Sequence, residues 1–172
     1  MARNYFELFE LPARFDIDLK DLAARHRERI RVWHPDRYAQ GSSEERRRAV
    51  TTSADLNDGL KVLRNPVSRA RHLLALRGIS TDEDTDTSMD ADFLMQQMAW
   101  RERLEEGVGR PEEVTALAAL VAQSRDAKES ALAGLLDGEQ TTDLDRAREL
   151  VRELQFLERF ARELDCATGE VL

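Results

Sequence analysis

The sequence predicts an all-α fold, and three features of its 172 residues support that prediction. The chain contains only eight glycines and four prolines, too few for a turn-rich β fold. Apolar residues recur at helical spacing over long segments, and the alternating pattern of a half-buried strand is absent. We therefore expect long helices that are joined by short loops.

The composition fits one large domain or two small ones. Hydrophobic residues make up 41% of the chain and charged residues 35%, which is enough to build a core and argues against wholesale disorder. The net charge of −8 argues against a nucleic-acid partner. The charge is uneven, because residues 1–80 carry 16 basic and 11 acidic side chains whereas residues 81–113 carry 3 and 11. This change of sign predicts two units that meet near residue 80.

Cysteine usage predicts a reducing compartment. Cys166 is the single cysteine, so an internal disulfide is excluded. One thiolate does not hold a zinc ion or an iron-sulfur cluster that takes four protein ligands, and we expect neither a metal nor a cofactor. No apolar run reaches the ~18 residues of a membrane helix, and the first residues do not resemble a signal peptide. We therefore expect a cytoplasmic protein with no membrane partner.

Residues 1–78 are predicted to form the first unit, which begins with a short apolar helix before Pro12. A second helix is predicted to begin at Asp18 and to end at Trp33, because the position of His34 before Pro35 disfavours helical backbone. Its apolar stripe is expected to contain Leu19, Leu22, Ala23, His26, Ile30 and Trp33.

A third helix is predicted to begin after a polar loop. Ser42 and Glu45 have the spacing of a capping box, and the apolar pattern continues until Asn65–Pro66 interrupts it. A shorter helix then follows and ends at Gly78. The two long helices should pair in antiparallel fashion, which places the loop at His34 at the tip of a helical hairpin flanked by short helices.

Residues 79–89 are predicted to be an acidic linker, since positions 80–88 contain no apolar side chain. Residues 90–172 are predicted to form a C-terminal three-helix bundle, because short loops between long helices favour that arrangement. Pro111 suits a first helical position and Gly138 a helix end. The expected helices cover about residues 90–106, 111–136 and 143–165.

The helix between Asp18 and Trp33 is rich in cations. They lie on both borders of its apolar stripe: Lys20, Arg27 and Arg31 on one, and Arg25 and Arg29 on the other. Only Asp21 and Glu28 oppose them, so the helix should create a positive field that attracts an acidic partner. The alternative is a solvated helix face without a partner.

The tripeptide His34-Pro35-Asp36 follows this helix directly. An imidazole beside a carboxylate is able to act as a general base, so an enzyme that uses His34 and Asp36 is one alternative. Pro35 favours a rigid loop, however, and no Ser or Cys nucleophile accompanies the pair. The three histidines also lack the spacing of a metal site. We therefore interpret the tripeptide as a recognition loop.

Two helices of the C-terminal bundle carry apolar side chains outside the single apolar face that would pack against the other helices. Phe93, Trp100 and Leu104 share one face of the first bundle helix, while a second face contains Leu94, Met95 and Met98 and continues with Glu102 and Glu105. One stripe is enough to anchor a helix, so the second predicts an exposed apolar patch with an acidic border, and methionines suit an adaptable binding surface.

In the last helix, Phe156 is an apolar side chain that lies outside the main apolar face. It projects roughly opposite the apolar seam of that helix, which predicts that it is exposed. The alternative is that Leu94, Met98 and Phe156 pack into the bundle or against the first unit. An amphipathic stripe belongs to a core more often than to a binding site.

The order of elements over residues 4–77 resembles the J-domain of DnaJ-type co-chaperones. The resemblance rests on the short aromatic helix, the basic helix, the tripeptide His34-Pro35-Asp36, and the capped helix that follows. It implies that the tripeptide and the basic helix dock on an ATP-hydrolysing heat-shock chaperone. Arg37 replaces the lysine that is common after the tripeptide, which keeps the charge but changes the hydrogen-bond geometry.

The whole chain resembles the HscB family of iron-sulfur cluster co-chaperones. Besides the tripeptide, the resemblance rests on the segments YFELF with LPARF, RNPVSRA, FLM and FL at residues 5–9, 11–15, 64–70, 93–95 and 156–157. It implies that the bundle binds an IscU-type scaffold protein and that the chaperone is of HscA type. The implied scaffold-binding residues are Leu94, Met95, Met98, Glu102, Glu106 and Phe156.

Two departures from the family pattern concern the border of this surface. Ala99 and Gln155 stand where some relatives are expected to carry charged residues. The tetracysteine extension of eukaryotic relatives is absent, so the resemblance implies no zinc. The resulting hypothesis is a non-enzymatic adaptor that brings the scaffold to the chaperone and stimulates its ATPase. A general co-chaperone for other unfolded clients is the alternative.

Overall fold

The computed structural model describes residues 3–81, 90–138 and 143–168, and within these ranges the regular structure is entirely helical. The all-α prediction is confirmed. The chain divides into two compact units, Met1–Gly78 and Ile79–Leu172. Most of the predicted linker, residues 82–89, lies outside the described residues, as do residues 139–142 of the last predicted turn. No helix of the described ranges is long and apolar enough to cross a bilayer.

Within its described residues, 3–78, the first unit contains four α-helices and one 3₁₀ helix. Their bounds are α1 Tyr5–Leu8, α2 Leu19–Trp33, the 3₁₀ helix Pro35–Tyr38, α3 Ser43–Arg64 and α4 Pro66–Leu76. Side chains cap these helices as the sequence predicts: the Asp18 carboxylate accepts from the first turn of α2, and Ser42 and Glu45 form a reciprocal capping box at α3. Gly78 follows α4 with a φ of +81°, a conformation that favours glycine.

Helices α2 and α3 pair in antiparallel fashion. His26 Nε2 lies 3.0 Å from Asn57 Oδ1 near the middle of both helices, while the Arg48 guanidinium at the start of α3 stacks over Trp33 at the end of α2. The core beneath them is built from Phe6, Phe9, Leu22, Leu56, Leu63, Leu73 and Leu74.

Most of the predicted α2 stripe is not fully buried: Leu22 is its one buried member, whereas Ala23, His26, Ile30 and Trp33 are half-buried and Leu19 is exposed. Leu19 is 46% exposed, so its prediction as a buried residue is wrong. Leu19 is the first residue of α2 and lies at the edge of the contact between α2 and α3. Its side chain lines a surface groove together with Leu60 of α3.

His72 fastens α1 to α4. Its buried ring accepts a hydrogen bond at Nε2 from the Tyr5 N–H at 3.1 Å and lies against the rings of Tyr5 and Phe6. Burial lowers the pKa of His72 below its ordinary value. The ring is therefore neutral in the folded protein at neutral pH, with Nε2 free to accept.

This contact predicts an acid-sensitive first unit. The unfolded chain takes up a proton at His72 near pH 6.5, whereas the folded chain does so only at lower pH. The free energy of unfolding should therefore fall as the pH drops below about 6.5, until the folded ring is protonated as well. His72→Gln keeps an acceptor for Tyr5 without a titration, and urea unfolding followed by NMR signals of this unit should show a shallower pH dependence. Equal slopes in both proteins would contradict the assignment.

The part of the second unit that the structure describes is a bundle of three helices, α5 Ala91–Glu106, α6 Pro111–Asp137 and α7 Leu144–Thr168. Asp90 caps α5, and Pro111 occupies the first turn of α6 as predicted. Helix α7 is buried on more than one side, because α6 covers one face and aromatic side chains of α5 cover another. Side chains on two different faces of α7 are therefore buried.

Candidate functional site

The tripeptide lies at the tip of the α2–α3 hairpin. His34 ends α2 and caps the 3₁₀ helix: its Nδ1 accepts from the Asp36 N–H at 3.3 Å, and its carbonyl accepts from the Arg37 N–H at 3.0 Å. Pro35 occupies the first position of the 3₁₀ helix, where a missing N–H costs nothing. The loop is therefore defined by local backbone contacts.

Side chains on both sides brace this loop. The rings of Trp33 and Tyr38, which flank the tripeptide, stack at 5.9 Å with 11° between their planes. The Arg48 guanidinium lies 5.3 Å from the Trp33 ring. Arg37 donates from Nη1 to the Arg31 carbonyl at 3.0 Å, which ties the loop back to the last turn of α2.

The exposure of the pair indicates recognition chemistry. The side chain of His34 is 50% exposed and that of Asp36 is 90% exposed, with 3.5 Å between Nδ1 and Oδ2. Because Nδ1 accepts from the backbone, the ring proton of the neutral histidine lies on Nε2 and is available to a partner. The described residues contain no cluster of three metal-ligating side chains. The loop thus offers one donor and one carboxylate from a fixed backbone.

The two cationic borders of α2 differ in their contacts. Arg25 donates to Asp21 and, through Nη1, to the carbonyl oxygens of Phe9 and Glu10 at 3.1 Å each. Arg29 pairs with the Glu10 carboxylate at 2.6 Å. Glu10 has a φ of 53°, a left-handed conformation that costs roughly 1–2 kcal/mol, and the two arginines hold it in place. This border fastens the loop before α2.

The other border consists of Lys20, Arg27 and Arg31, and none of these three forms an ion pair within the described ranges. Their spacing of seven and four residues puts them in one row that leads towards the tripeptide. Beside the row lies a groove with an apolar floor and one further cation, Arg64, and the groove is lined by Leu19, Lys20, Leu22, Ala23, Arg27, Leu60 and Arg64. We call the three residues the basic row.

Three apolar side chains project from α5 into solvent. Leu94 is 44% exposed, Met95 61% and Met98 72%, which confirms the predicted exposure of the second face of this helix. Glu102 and Glu106, both exposed, follow within the next two turns. We call Leu94, Met95 and Met98 the α5 patch. An adaptable apolar surface with an acidic margin suits a protein partner with apolar and basic groups.

Phe156 does not belong to this exposed surface. It is only 6% exposed, so the prediction that it projects into solvent is wrong. Its ring meets Phe93 of α5 edge-on at 5.8 Å and stacks on Phe160 at 5.6 Å, while the Arg101 guanidinium covers it at 5.9 Å. The physical reason is the second seam of α7, which packs against α5. Phe156 lies beneath the helix that carries the patch.

The sequence contains a signal for this second seam. Phe156 and Phe160 are four residues apart on α7, while Phe93 and Trp100 are seven apart on α5, so each pair forms a ridge on one helix face. Trp100 stacks on Phe160 at 6.2 Å and completes the contact. Matching the two aromatic pairs would have placed Phe156 in the interior.

Comparisons with known proteins agree with this architecture. The family profile described as the HSCB C-terminal oligomerisation domain matches residues 89–165. A co-chaperone protein HscB homolog of Shewanella amazonensis is 40% identical over 98% of this chain and 99% of its own length.

Two solved structures extend the similarity to the fold. Chaperone HscB from Vibrio cholerae has a TM-score of 0.85 at 31% identity and covers 99% of this chain and 100% of its own. The human co-chaperone protein HscB has a TM-score of 0.90 at 25% identity and covers 98% of this chain and 84% of its own.

An antiparallel hairpin with His-Pro-Asp at its tip, followed by a three-helix bundle, defines a J-domain co-chaperone. The relatives above are all named as chaperones or co-chaperones. This chain belongs to the HscB family of co-chaperones.

Proposed function

We propose that this protein delivers an IscU-type iron-sulfur scaffold protein to an HscA-type chaperone and stimulates its ATPase, without catalysing a reaction itself. The supporting observation is that two chemically different surfaces lie on separate units: the polar tripeptide on the first and the α5 patch on the second. The acidic segment 79–89 joins them in the sequence. Linking the two sites raises the local concentration of scaffold at the chaperone, so modest affinities suffice.

In this proposal the scaffold binds Leu94, Met95 and Met98, with Glu102 and Glu106 at the margin. Phe156 supports that surface from beneath through Phe93. The single cysteine supports a cytoplasmic location. No cofactor takes part in the proposed activity.

The direct test is a steady-state ATPase assay with an HscA-type chaperone. This protein alone should raise the rate, and an IscU-type scaffold added with it should raise the rate further. A pull-down with this protein should recover the scaffold. The absence of stimulation in every combination would overturn the proposal.

A general folding co-chaperone is the second candidate, favoured by the two strongly exposed methionines of the patch, since such surfaces accept varied partners. Competition distinguishes the two functions. Denatured protein should displace the scaffold if the patch serves unfolded clients in general. Binding of denatured protein without any binding of the scaffold would favour this second function over the first.

The chaperone is proposed to contact the basic row together with His34, Pro35, Asp36 and Arg37. The supporting observation is the division of the cations, because Arg25 and Arg29 are engaged within the unit whereas Lys20, Arg27 and Arg31 are available. The row spans about 16 Å along α2 at 1.5 Å per residue. The row therefore presents three separated positive charges to an acidic surface of the chaperone.

The division predicts opposite outcomes for the two borders. Arg27→Glu with Arg31→Glu should raise the concentration needed for half-maximal ATPase stimulation by about tenfold at low salt, and the effect should shrink as salt screens the charges. Arg25→Gln is the matched variant on the other border, and it should lower the thermal stability of the first unit with a smaller change in that concentration. Equal effects on stimulation would contradict the division.

A further inference from the structure

A buried carboxylate lies inside the bundle, apart from both proposed binding surfaces. Glu153 of α7 is only 2% exposed. Lys128 of α6 forms an ion pair with Glu153 Oε2, and Arg146 Nη1 lies 3.4 Å from Oε1. A carboxylate at this depth requires such partners, because an unpaired buried charge is strongly unfavourable.

The same lysine reaches the helix that carries the patch. Lys128 Nζ lies 4.6 Å from the centroid of the Phe93 ring, a cation–π contact in a largely desolvated place. Phe93 is the residue directly before Leu94. Its ring also forms the T-shaped contact with Phe156, so two contacts hold it.

Arg146 extends the network towards the start of α5. It donates to Glu149 at 2.9 Å, and this hydrogen bond raises the pKa of Arg146, to which the charges of Glu153, Glu149 and Asp90 add. Asp90 caps α5 by accepting from the N–H groups of Asp92 and Phe93. The cap of α5 therefore lies in the field of the same arginine.

The beginning of α5 depends on few contacts. From Ala91 to Ala99 the only buried side chain is Phe93, and the next one is Trp100 two turns on. The patch residues occupy this weakly held stretch. Whatever fixes Phe93 consequently fixes the direction in which Leu94 and Met98 point.

We infer that Lys128, Glu153 and Arg146, here called the charge clasp, position the α5 patch for its partner by holding Phe93 and the start of α5 against α6 and α7. Lys128 and Glu153 are thus positioning residues for a binding surface that they do not touch. The inference rests on the proposed scaffold binding. It explains why charges are placed where apolar side chains would suffice for a core.

The decisive variant replaces the ion pair by apolar side chains of similar size, Lys128→Met with Glu153→Met. Arg146 retains Glu149, so no buried charge is left unpaired. Such replacements are often neutral or stabilising, and the thermal unfolding temperature of the variant should be unchanged or higher. Its affinity for an IscU-type scaffold, measured by calorimetry, should nevertheless fall by about tenfold through the lost hold on Phe93.

Hydrogen exchange gives a readout that does not require the scaffold. The amides of residues 94–98 should exchange faster in the double variant, while those in the middle of α6 and α7 remain protected. Lys128→Arg keeps the charge over Phe93 and should retain both the affinity and the protection. Arg110→Gln, which breaks an exposed ion pair with Glu113 in the same unit, is the matched control and should change neither quantity.

Two outcomes would overturn the inference. One is scaffold affinity within twofold of the unaltered protein together with unchanged exchange in α5. The other is a loss of affinity that parallels a general loss of protection throughout the bundle, because the pair would then serve stability alone. If the unaltered protein fails to bind the scaffold, the proposed function fails, and the exchange pattern alone decides whether the clasp holds α5.

Discussion

His34→Gln is expected to reduce stimulation of the chaperone ATPase by at least about tenfold while scaffold binding stays unchanged. We expect His34 to be a hot spot of the proposed chaperone interface, because a few residues carry most of the binding energy of an interface. Glutamine lacks the rigid ring that the loop presents from the tip of the hairpin, where Nδ1 is engaged by the Asp36 N–H and the half-exposed ring leaves Nε2 for the proposed contact with the chaperone. The patch lies on the other unit, so the scaffold should bind as before.

The measurement is the ATPase rate of an HscA-type chaperone as a function of the concentration of the variant. His34→Asn is a useful companion, because asparagine caps a helix well and keeps the local backbone contact while it removes the imidazole. Gln40→Ala is the control, since Gln40 is exposed and lies two residues after Tyr38, outside the tripeptide. Normal stimulation by His34→Gln would show that the J-domain mechanism is wrong.

The helix bounds were predictable because local chemistry determines them. Asp18, the Ser42–Glu45 capping box and Pro111 all begin helices where the sequence places them. Pro35 ends α2 through the conformation that it imposes on His34. Each of these signals acts within four residues, so it does not depend on how the helices pack.

The errors concern contacts between elements distant in sequence. Phe156 was expected in solvent because one apolar seam is enough for an outer bundle helix, but α7 contacts both of its neighbours. Helical periodicity alone does not reveal how many partners a helix has. Similarly, the division of the α2 cations depends on the carbonyl groups of Phe9 and Glu10, which only the folded loop brings within reach of Arg25.

The burial of Phe156 changes the choice of variants for the bundle. Phe156→Ala would leave a cavity beside Phe93 and should lower the free energy of unfolding by about 3–5 kcal/mol. A loss of scaffold binding in that variant would therefore not distinguish unfolding of the bundle from the loss of a direct contact. Exposed patch residues are the better choice, because their truncation leaves the core intact.

Leu94→Ala with Met98→Ala is expected to weaken scaffold binding by about 100-fold, since two central apolar contacts at roughly 1–2 kcal/mol each are lost. Leu94 is 44% exposed and Met98 72%, so the unfolding temperature should change little. Calorimetric titration with the scaffold measures the loss. Leu120→Ala is the matched control, because Leu120 of α6 is 42% exposed in the same bundle but outside the patch.

The same double variant should still stimulate the chaperone ATPase when no scaffold is present, because the tripeptide and the basic row are untouched. Only the additional stimulation by the scaffold should disappear. This pattern is the mirror image of that expected for His34→Gln, and together the two variants test whether the two units carry separable functions. The binding surface would lie elsewhere on the bundle if the Leu94 and Met98 variant kept its affinity for the scaffold. The same conclusion would follow if the affinity fell equally in the Leu120 control.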